Sequence, residues 1–590
     1  MNTSIKKSAL PYITDWDWDS INWSSISRYV EKLQQRIFHA ERLGRIRKVR
    51  NLQRLLMKSQ AALLLSIRRV TQMNKGKRTA GVDGHKALSP YERIELYNKM
   101  KDMNIKCHKP KPAYRTYIKK KNGKLRPLGI PTIKDRTYQN IAKLALEPQW
   151  EAKFEPTSYG FRPKRNCHDA IQRIHTTVGN KKVWIFEGDF KGCFDNLNHD
   201  YILEQIKGFP VFNIIAKWLK AGFVDNNVFH ESEDGTPQGG IISPLLANIA
   251  LHGLEDLLNI KYRKVKRKTK TSYENRAKFA VTRYADDFVI MCESKEDANG
   301  LYHKLEPYLE ARGLELAMDK TKITHVEEGF DFLGFNIRKY KTHNGSKVLT
   351  KPSKDSIKNA KTKISDKARQ LYGKNVQKLI GTLNPITLGT ANYWSPTVAK
   401  KVFSEMDSHI WNVQYRFLRR LHPKKSWDWI RKKYFKPDKT GQSQNRWILT
   451  DPITNNQLKK VSWIPIVRHV QIKHDYSPFN KNLKDYFKNR DIKEFDRNNV
   501  AYRQKLAKKQ KYKCSLCSKS IADGIEGLEM HHKIPRTKGG SNEYKNIELV
   551  HISCHLEFHK VFPARDDIPN DAQLRSVKKY LEGKKITGLI

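Results

Sequence analysis

The sequence predicts an α+β protein of several domains, and three observations carry that prediction. Its 590 residues exceed what one compact core usually holds, which argues for about three or four domains. Short apolar strands alternate with helical stretches over residues 81–350, whereas residues 351–480 carry helical periodicity. Cysteines and histidines then crowd residues 506–590, in a segment with little apolar content to form a core of its own.

Hydrophobic residues make up 38% and aromatics 10%, enough for folding, so the negative mean hydropathy reflects charge and not disorder. Lysine and arginine number 113 against 60 acidic residues, and the resulting +53 is spread over nearly the whole chain. A field of that size attracts a polyanion and makes its binding salt-dependent. Nucleic acid is the first candidate; a ribosome-type structural protein and a basic membrane-surface protein are the alternatives that charge alone leaves standing. There is no run of 18 apolar residues, and Met1–Leu10 lacks the apolar stretch of a secretory signal. The expectation is no membrane partner, no secretion, and a place in the bacterial cytosol or nucleoid or in an organelle. Cys107, Cys167, Cys193 and Cys292 are scattered without pairing logic, so no disulfides are expected.

Residues 1–80 read as a basic helical N-terminal extension. Ile46, Val49, Leu52, Leu55 and Leu56 fall at helical spacing, with Arg42, Arg45, Arg47, Lys48, Arg50 and Arg54 between them. Residues 74–84 carry the Gly and Asp signals of a loop, after which the α+β body runs from 81 to 350. Within it, Lys261–Lys278 reads as a basic, strand-poor insertion, either a solvated loop or a mobile nucleic-acid contact. Residues 351–480 place Trp411 and Tyr415 beside Arg416, Arg419 and Arg420, although Trp394 and Trp429 are expected to be core residues. A charged linker or DNA-binding region follows at 481–505.

Tyr284-Ala285-Asp286-Asp287 lies between the apolar runs Phe279–Val281 and Phe288–Met291. That pattern describes a hairpin in a buried sheet with an exposed acidic turn. Adjacent carboxylates repel, and a divalent cation would relieve the conflict while orienting phosphate oxygens. The plainer reading is a solvated Asp-Asp turn. A second apolar strand, Trp184–Gly188, ends at Asp189, and if the two strands are neighbours Asp189 completes a site of hard oxygen ligands.

These residues resemble the palm of reverse transcriptases, and six ordered blocks narrow the resemblance to group II intron-encoded reverse transcriptase/maturase proteins over about Thr79 to Leu349. The resemblance implies a right-hand polymerase with fingers and palm at 81–350 and a helical thumb and maturase region (domain X) at 351–480. Asp189, Asp286 and Asp287 would hold Mg²⁺ as the catalytic acids. Lys124 and Arg126 in Lys124–Pro131 match a fingers motif that meets the incoming triphosphate, and Tyr159–Pro163 matches the next block. Phe194, in Asp189–Asp195, occupies the aromatic position that disfavours a 2′-OH and so selects dNTPs. Gln238 and Gly239, in Thr236–Gly240, match the turn that contacts nucleotide and template. Lys320 resembles a basic residue near the leaving pyrophosphate, and Phe332–Phe335 a primer-side turn.

Toward the C-terminus the order is Cys514-x₂-Cys517, Glu529-Met530-His531-His532, Gly539-Gly540, Asn546, His551-x₂-Cys554-His555 and His559. It resembles an HNH endonuclease of the ββα-metal type. His555 and His559 stand at i and i+4, on one face of a helix, and His531 would be the third ligand of a catalytic divalent metal. His532 would be the general base that activates water. Asn546 matches the middle letter, where it either orients the base or reaches the metal. Cys514, Cys517, His551 and Cys554 would form a structural Zn²⁺ site, with His551 departing from the second CxxC of many relatives.

Together these implications describe a protein that reverse transcribes RNA, assists splicing of its intron RNA and cuts target DNA to prime cDNA synthesis, with intron RNA, target DNA and dNTPs as partners. An RNA-binding splicing maturase with a vestigial polymerase is the alternative, and a defence-associated reverse transcriptase a third reading. The oligomeric state stays open, a dimer among the options.

Overall fold

Ile185, Val289 and Met291 face one apolar cluster while Phe186, Phe288 and Ile290 face another, so successive residues of two adjacent strands are buried on opposite sides. The alternation is the period of a strand covered on both faces, and it makes this sheet the centre of the α+β body. In the computed structural model, residue 18 and residues 21–561 are described, apart from 120–122, 124, 180, 227, 237, 267–270, 344, 440–442, 500 and 525. The sheet runs Lys322–His325, Trp184–Gly188, Asp287–Cys292, Ala280–Tyr284, all antiparallel. Gly188 pairs with Phe288, where any Cβ would lie 2.1 Å from the Phe288 ring, so glycine is what lets the two strands approach.

A second sheet has the order Leu125–Ile130, Ala113–Lys119, Phe223–Asp225, Val228–His230. Helices Trp23–Arg42, Ile46–Lys58 and Gln60–Arg68 pack on helix Ile133–Glu151. Asn22 and Ser59 cap the first and third of these by accepting from Ser25 N and Ala62 N. Val49, Leu52 and Leu56 are buried as their spacing predicts, but Ile46 and Leu55 are exposed. The two flank the buried stripe, while the helix itself packs on both Trp23–Arg42 and Ile133–Glu151.

Three further expectations change. The Lys261–Lys278 segment contains an antiparallel hairpin, Tyr262–Lys266 with Thr271–Asn275. Its Tyr262 hydroxyl donates to buried Glu255, and Tyr273 stacks on His474, contacts that strand geometry supplies and charge counting hides. The helical stretch after the third sheet (Phe330–Phe332, Phe335–Thr342, Gly345–Pro352) comprises Lys354–Arg369, Val376–Trp394, Lys400–Leu421 and Trp427–Tyr434. Beyond Tyr434 the described residues to 480 are largely irregular, apart from the two-residue pairing Phe435–Lys436 with Ile448–Leu449 and the 3-10 turn Val461–Trp463. Trp394 is core, whereas Trp429 is 36% exposed with Lys433 4.6 Å from its ring centroid. The charged 481–505 stretch contains helix Lys484–Asn498, which buries Phe487 and Phe495, and the start of helix Ala501–Lys509. The hairpin Leu528–His532 with Ile547–His551 and helix Ile552–Val561 then complete a ββα unit around a separate small core. No described helix is long and apolar enough to cross a membrane.

One buried pair predicts a pH dependence. Burial and then the nearby Glu155 carboxylate push Glu255 up to about 7, while the Thr157 and Tyr262 hydroxyls that donate to it oppose the shift. A raised carboxyl means the folded state prefers the protonated form, so stability present at low pH is lost as pH rises from the ordinary value near 4.5 to about 7. The loss is about 3 kcal/mol. Glu255→Gln should therefore raise the melting temperature of the α+β body at pH 8 and leave it nearly unchanged at pH 4; equal shifts at both would assign the effect to packing instead.

Candidate active sites

Tyr284 pairs with Asp287, so Ala285 and Asp286 form the hairpin turn, with Ala285 at φ 59°. Asp189 follows the end of the neighbouring strand, as the sequence predicts. Asp287 is accessible to solvent although protein crowds around it. That crowding, then Asp286, then Asp189 push its carboxyl up to about 6, and Lys320 opposes them. Lys320 Nζ donates to Asp189 Oδ2 at 2.9 Å, and this bond raises the ammonium pKa. The resemblance implies a place for Lys320 near a leaving group; the structure pairs it with Asp189.

The block Tyr159–Pro163 braces the acidic turn. Tyr159 N donates to Arg283 O at 2.9 Å, and a Cβ on Gly160 would lie 2.2 Å from Ala285 N. Asn248 Nδ2 donates to Gly160 O at 2.8 Å, while Arg283 Nη1 donates to Asn248 Oδ1 at 3.1 Å and to Ala285 O at 3.0 Å. Arg283 is 1% exposed. Sequence reasoning passes over Arg283 and Asn248; the available signal is an arginine inside an otherwise buried strand. Gly160→Ala should displace the turn and cut primer extension by more than tenfold, at a folding cost of about 1–3 kcal/mol. An unchanged extension rate would show that the turn tolerates the shift.

Gln238 joins fingers to palm. Its Oε1 accepts from Arg126 Nε at 2.7 Å, its Nε2 donates to Asp195 Oδ1 at 3.3 Å, and its carbonyl accepts from Gly129 N at 2.9 Å. Asp195 offers only acceptors, which orients the amide so that its oxygen faces Arg126. Gly239, at φ 137°, would bring a Cβ within 2.4 Å of Gly129 O. Phe194 is buried against Phe161, ring centroids 6.3 Å apart. Lys124 lies outside the described residues.

In the C-terminal unit two groups each bring ligand atoms within 4.8 Å of one another: Cys514, Cys517, His551 and Cys554, and His531, His555 and His559. Among the described residues the palm aspartates are not gathered so closely, Asp189 being held by Lys320. His551 Nε2 lies 3.0 Å from Ser520 O, which places the ring proton there and leaves Nδ1 facing Cys517 Sγ at 3.3 Å. Proton sharing with Cys517 and Cys554 drives the Cys514 thiol far down and Cys554 up, and a thiolate is the form that binds metal. These four residues fit a tetrahedral soft-metal site. In the second group His531 is buried with Nδ1 lacking a partner, and His555 Nδ1 meets Glu529 Oε2 at 2.5 Å. Glu529, which opens the Glu529–His532 motif but carries no role in it from the resemblance, thus holds the His555 ring.

His532 Nε2 lies 3.0 Å from Asn542 Oδ1 and 3.3 Å from Arg536 Nε, contacts that ask for opposite tautomers. Asn546 accepts from Ile534 N at 2.7 Å and donates to Ile534 O and Ser541 O at 3.0 and 2.9 Å. Through these bonds the amide fastens the loop that follows His532.

An acidic palm hairpin, a fingers sheet and a ββα Cys/His unit define a reverse transcriptase-type polymerase joined to an HNH module, and family models agree, with reverse transcriptase (RNA-dependent DNA polymerase) matching residues 118–337 and HNH endonuclease 514–560. The N-terminal domain of reverse transcriptase matches 18–100, and the group II intron maturase-specific domain 357–435. The chain belongs to the group II intron-encoded reverse transcriptase/maturase family and carries a C-terminal HNH endonuclease domain. Protein YkfC of Escherichia coli (strain K12) is 35% identical over 339 residues, covering 52% of this chain and 89% of that protein. The group II intron-encoded protein LtrA of Lactococcus lactis subsp. cremoris is 35% identical over 354 residues, covering 48% of this chain and 58% of LtrA. A telomerase structure from Candida albicans covers 58% of this chain and 65% of its own at 12% identity and TM-score 0.32. Reverse transcriptase and HNH families work on nucleic acid and generally use divalent metals.

Proposed function

We propose that this chain is a multifunctional intron-encoded protein: an RNA-directed DNA polymerase, a maturase that binds group II intron RNA to assist its splicing, and an endonuclease that cuts target DNA to prime reverse transcription during intron mobility. The observation that carries the reading is the Asp286 turn beside Asp189, braced from behind by Gly160 and Arg283. We assign residues 81–350 to fingers and palm, 351–480 to thumb and maturase, and 506–590 to the nuclease, with basic helices before them and a charged connector at 481–505.

Asp189, Asp286 and Asp287 would hold two Mg²⁺ ions, which would supply phosphate charge neutralisation and a more acidic primer 3′-OH. Arg126, aimed by Gln238, would bind the triphosphate together with Lys124. Phe194 would close the space a 2′-OH needs, favouring dNTPs, and Gly239 would let the backbone approach the nucleotide. Lys320 would move from Asp189 toward the developing pyrophosphate charge. In the C-terminal module His531, His555 and His559 would hold a divalent metal and Cys514, Cys517, His551 and Cys554 a structural Zn²⁺. His532 would take the proton from the attacking water, with Asn546 fastening the loop beside it.

The test is a pair of assays on the full chain, dNTP incorporation on a primed RNA template and cleavage of target DNA. His532→Ala should slow cleavage by about 10²–10⁴-fold and leave extension of a pre-annealed primer intact. Loss of both activities would sink the separate-centre reading. A wild-type chain that folds intron RNA yet incorporates no dNTP would put the splicing maturase with a vestigial polymerase first.

A further inference from the structure

Two cations of the polymerase body reach one loop of the C-terminal module. Arg68, the last residue of helix Gln60–Arg68, donates from Nη2 to Glu526 Oε2 at 3.2 Å, and the two side chains are only 9% and 21% exposed. The Arg68 guanidinium also lies 4.6 Å from the centroid of the Trp23 ring, on the first N-terminal helix. Lys164, just after the Tyr159–Pro163 block, donates to Asp523 O at 3.1 Å and to Asp491 Oδ1 at 2.9 Å. Docking is therefore made from two separate parts of the polymerase body.

The Glu526 contact does more than hold the modules together. Its second oxygen, Oε1, accepts from Ser553 N at 2.7 Å. Ser553 lies in the first turn of helix Ile552–Val561, where backbone N–H groups lack partners within the helix and a carboxylate is favourably placed. The same helix carries Cys554, His555 and His559, one ligand of the thiol cluster and two of the histidine cluster. One carboxylate thus joins an arginine of the polymerase's N-terminal helices to the start of the helix that presents metal ligands of both groups. The pair is largely shielded, so water and salt screen it little, and Arg68 without Glu526 would be left as a buried charge.

We infer that Arg68 is a positioning residue for the nuclease: through Glu526 it sets the start of helix Ile552–Val561, so that docking on the polymerase's N-terminal helices places His555 and His559 against His531. The nuclease is then assembled on the polymerase, not appended to it. The activity arm of the test rests on the nuclease reading proposed above; the exchange arm does not.

In the full chain, Arg68→Met, Glu526→Gln and the double variant would be compared by amide hydrogen exchange over residues 552–561, by DNA cleavage and by primer extension. Each single substitution is expected to speed exchange and slow cleavage by about tenfold with extension unchanged, and the double to be no worse than either single, since both act through one contact. Arg68→Lys, which keeps the charge, should recover most of the protection. Unchanged exchange in Glu526→Gln, or strictly additive effects in the double, would overturn the inference. So would extension falling in step with cleavage, which marks general destabilisation. If the wild type cuts no DNA, the nuclease reading fails while exchange still decides the docking.

Discussion

Asp286→Ala is expected to reduce dNTP incorporation on a primed RNA template by about a thousandfold or more, with template binding retained. The side chain sits at the tip of a hairpin whose backbone is set by the Tyr284–Asp287 pair and by Arg283 bonding to Ala285 O, so the turn survives the loss of one carboxylate. What disappears is one of the three acids proposed to hold the metal ions. The substitution also removes a like charge beside Asp287, so the melting temperature should stay level or rise. Activity lost with stability kept separates a chemical role from a structural one. A variant that still extends primers would move the metal site away from this turn.

Loss of the Zn²⁺ proposed for the Cys/His cluster would carry the second large effect. The ββα unit has a small core of its own, and its thiol group joins the segment at Cys514 and Cys517 to the hairpin end at His551 and the helix at Cys554. In such a module metal affinity is folding free energy, on the order of 10 kcal/mol. Cys514→Ser, or a strong chelator, should strip Zn²⁺ and unfold residues 512–561. DNA cleavage should vanish while primer extension continues at the wild-type rate. The readouts are metal content and hydrogen exchange over the C-terminal segment. Full protection after the metal is gone would leave the cluster as buried thiols with no ion to hold.

The catalytic vocabulary was legible because it is local. A strand period of two around Asp286, the x₂ spacing of Cys514 and Cys517, and the i, i+4 spacing of His555 and His559 each state a geometry within a few residues. The basic segment at 261–278 was misread for the converse reason. Its hairpin is stabilised by Glu255 and His474, residues outside the segment, and charge masked the strand pattern. Trp429 was assigned to the core because aromatics usually are, and the structure sets it among lysines at the surface.

By itself the sequence determined the order of the blocks, the hairpin that carries Asp286 and Asp287, and the two Cys/His groups. Tertiary structure decided which of these groups touch. It put Lys320 on Asp189, Gln238 between Arg126 and Asp195, Gly160 beneath Ala285, and Arg68 on Glu526 across 458 residues of chain. Spacing along a strand or helix follows from backbone geometry, whereas these pairings follow from how separately formed elements pack, and no local period records that.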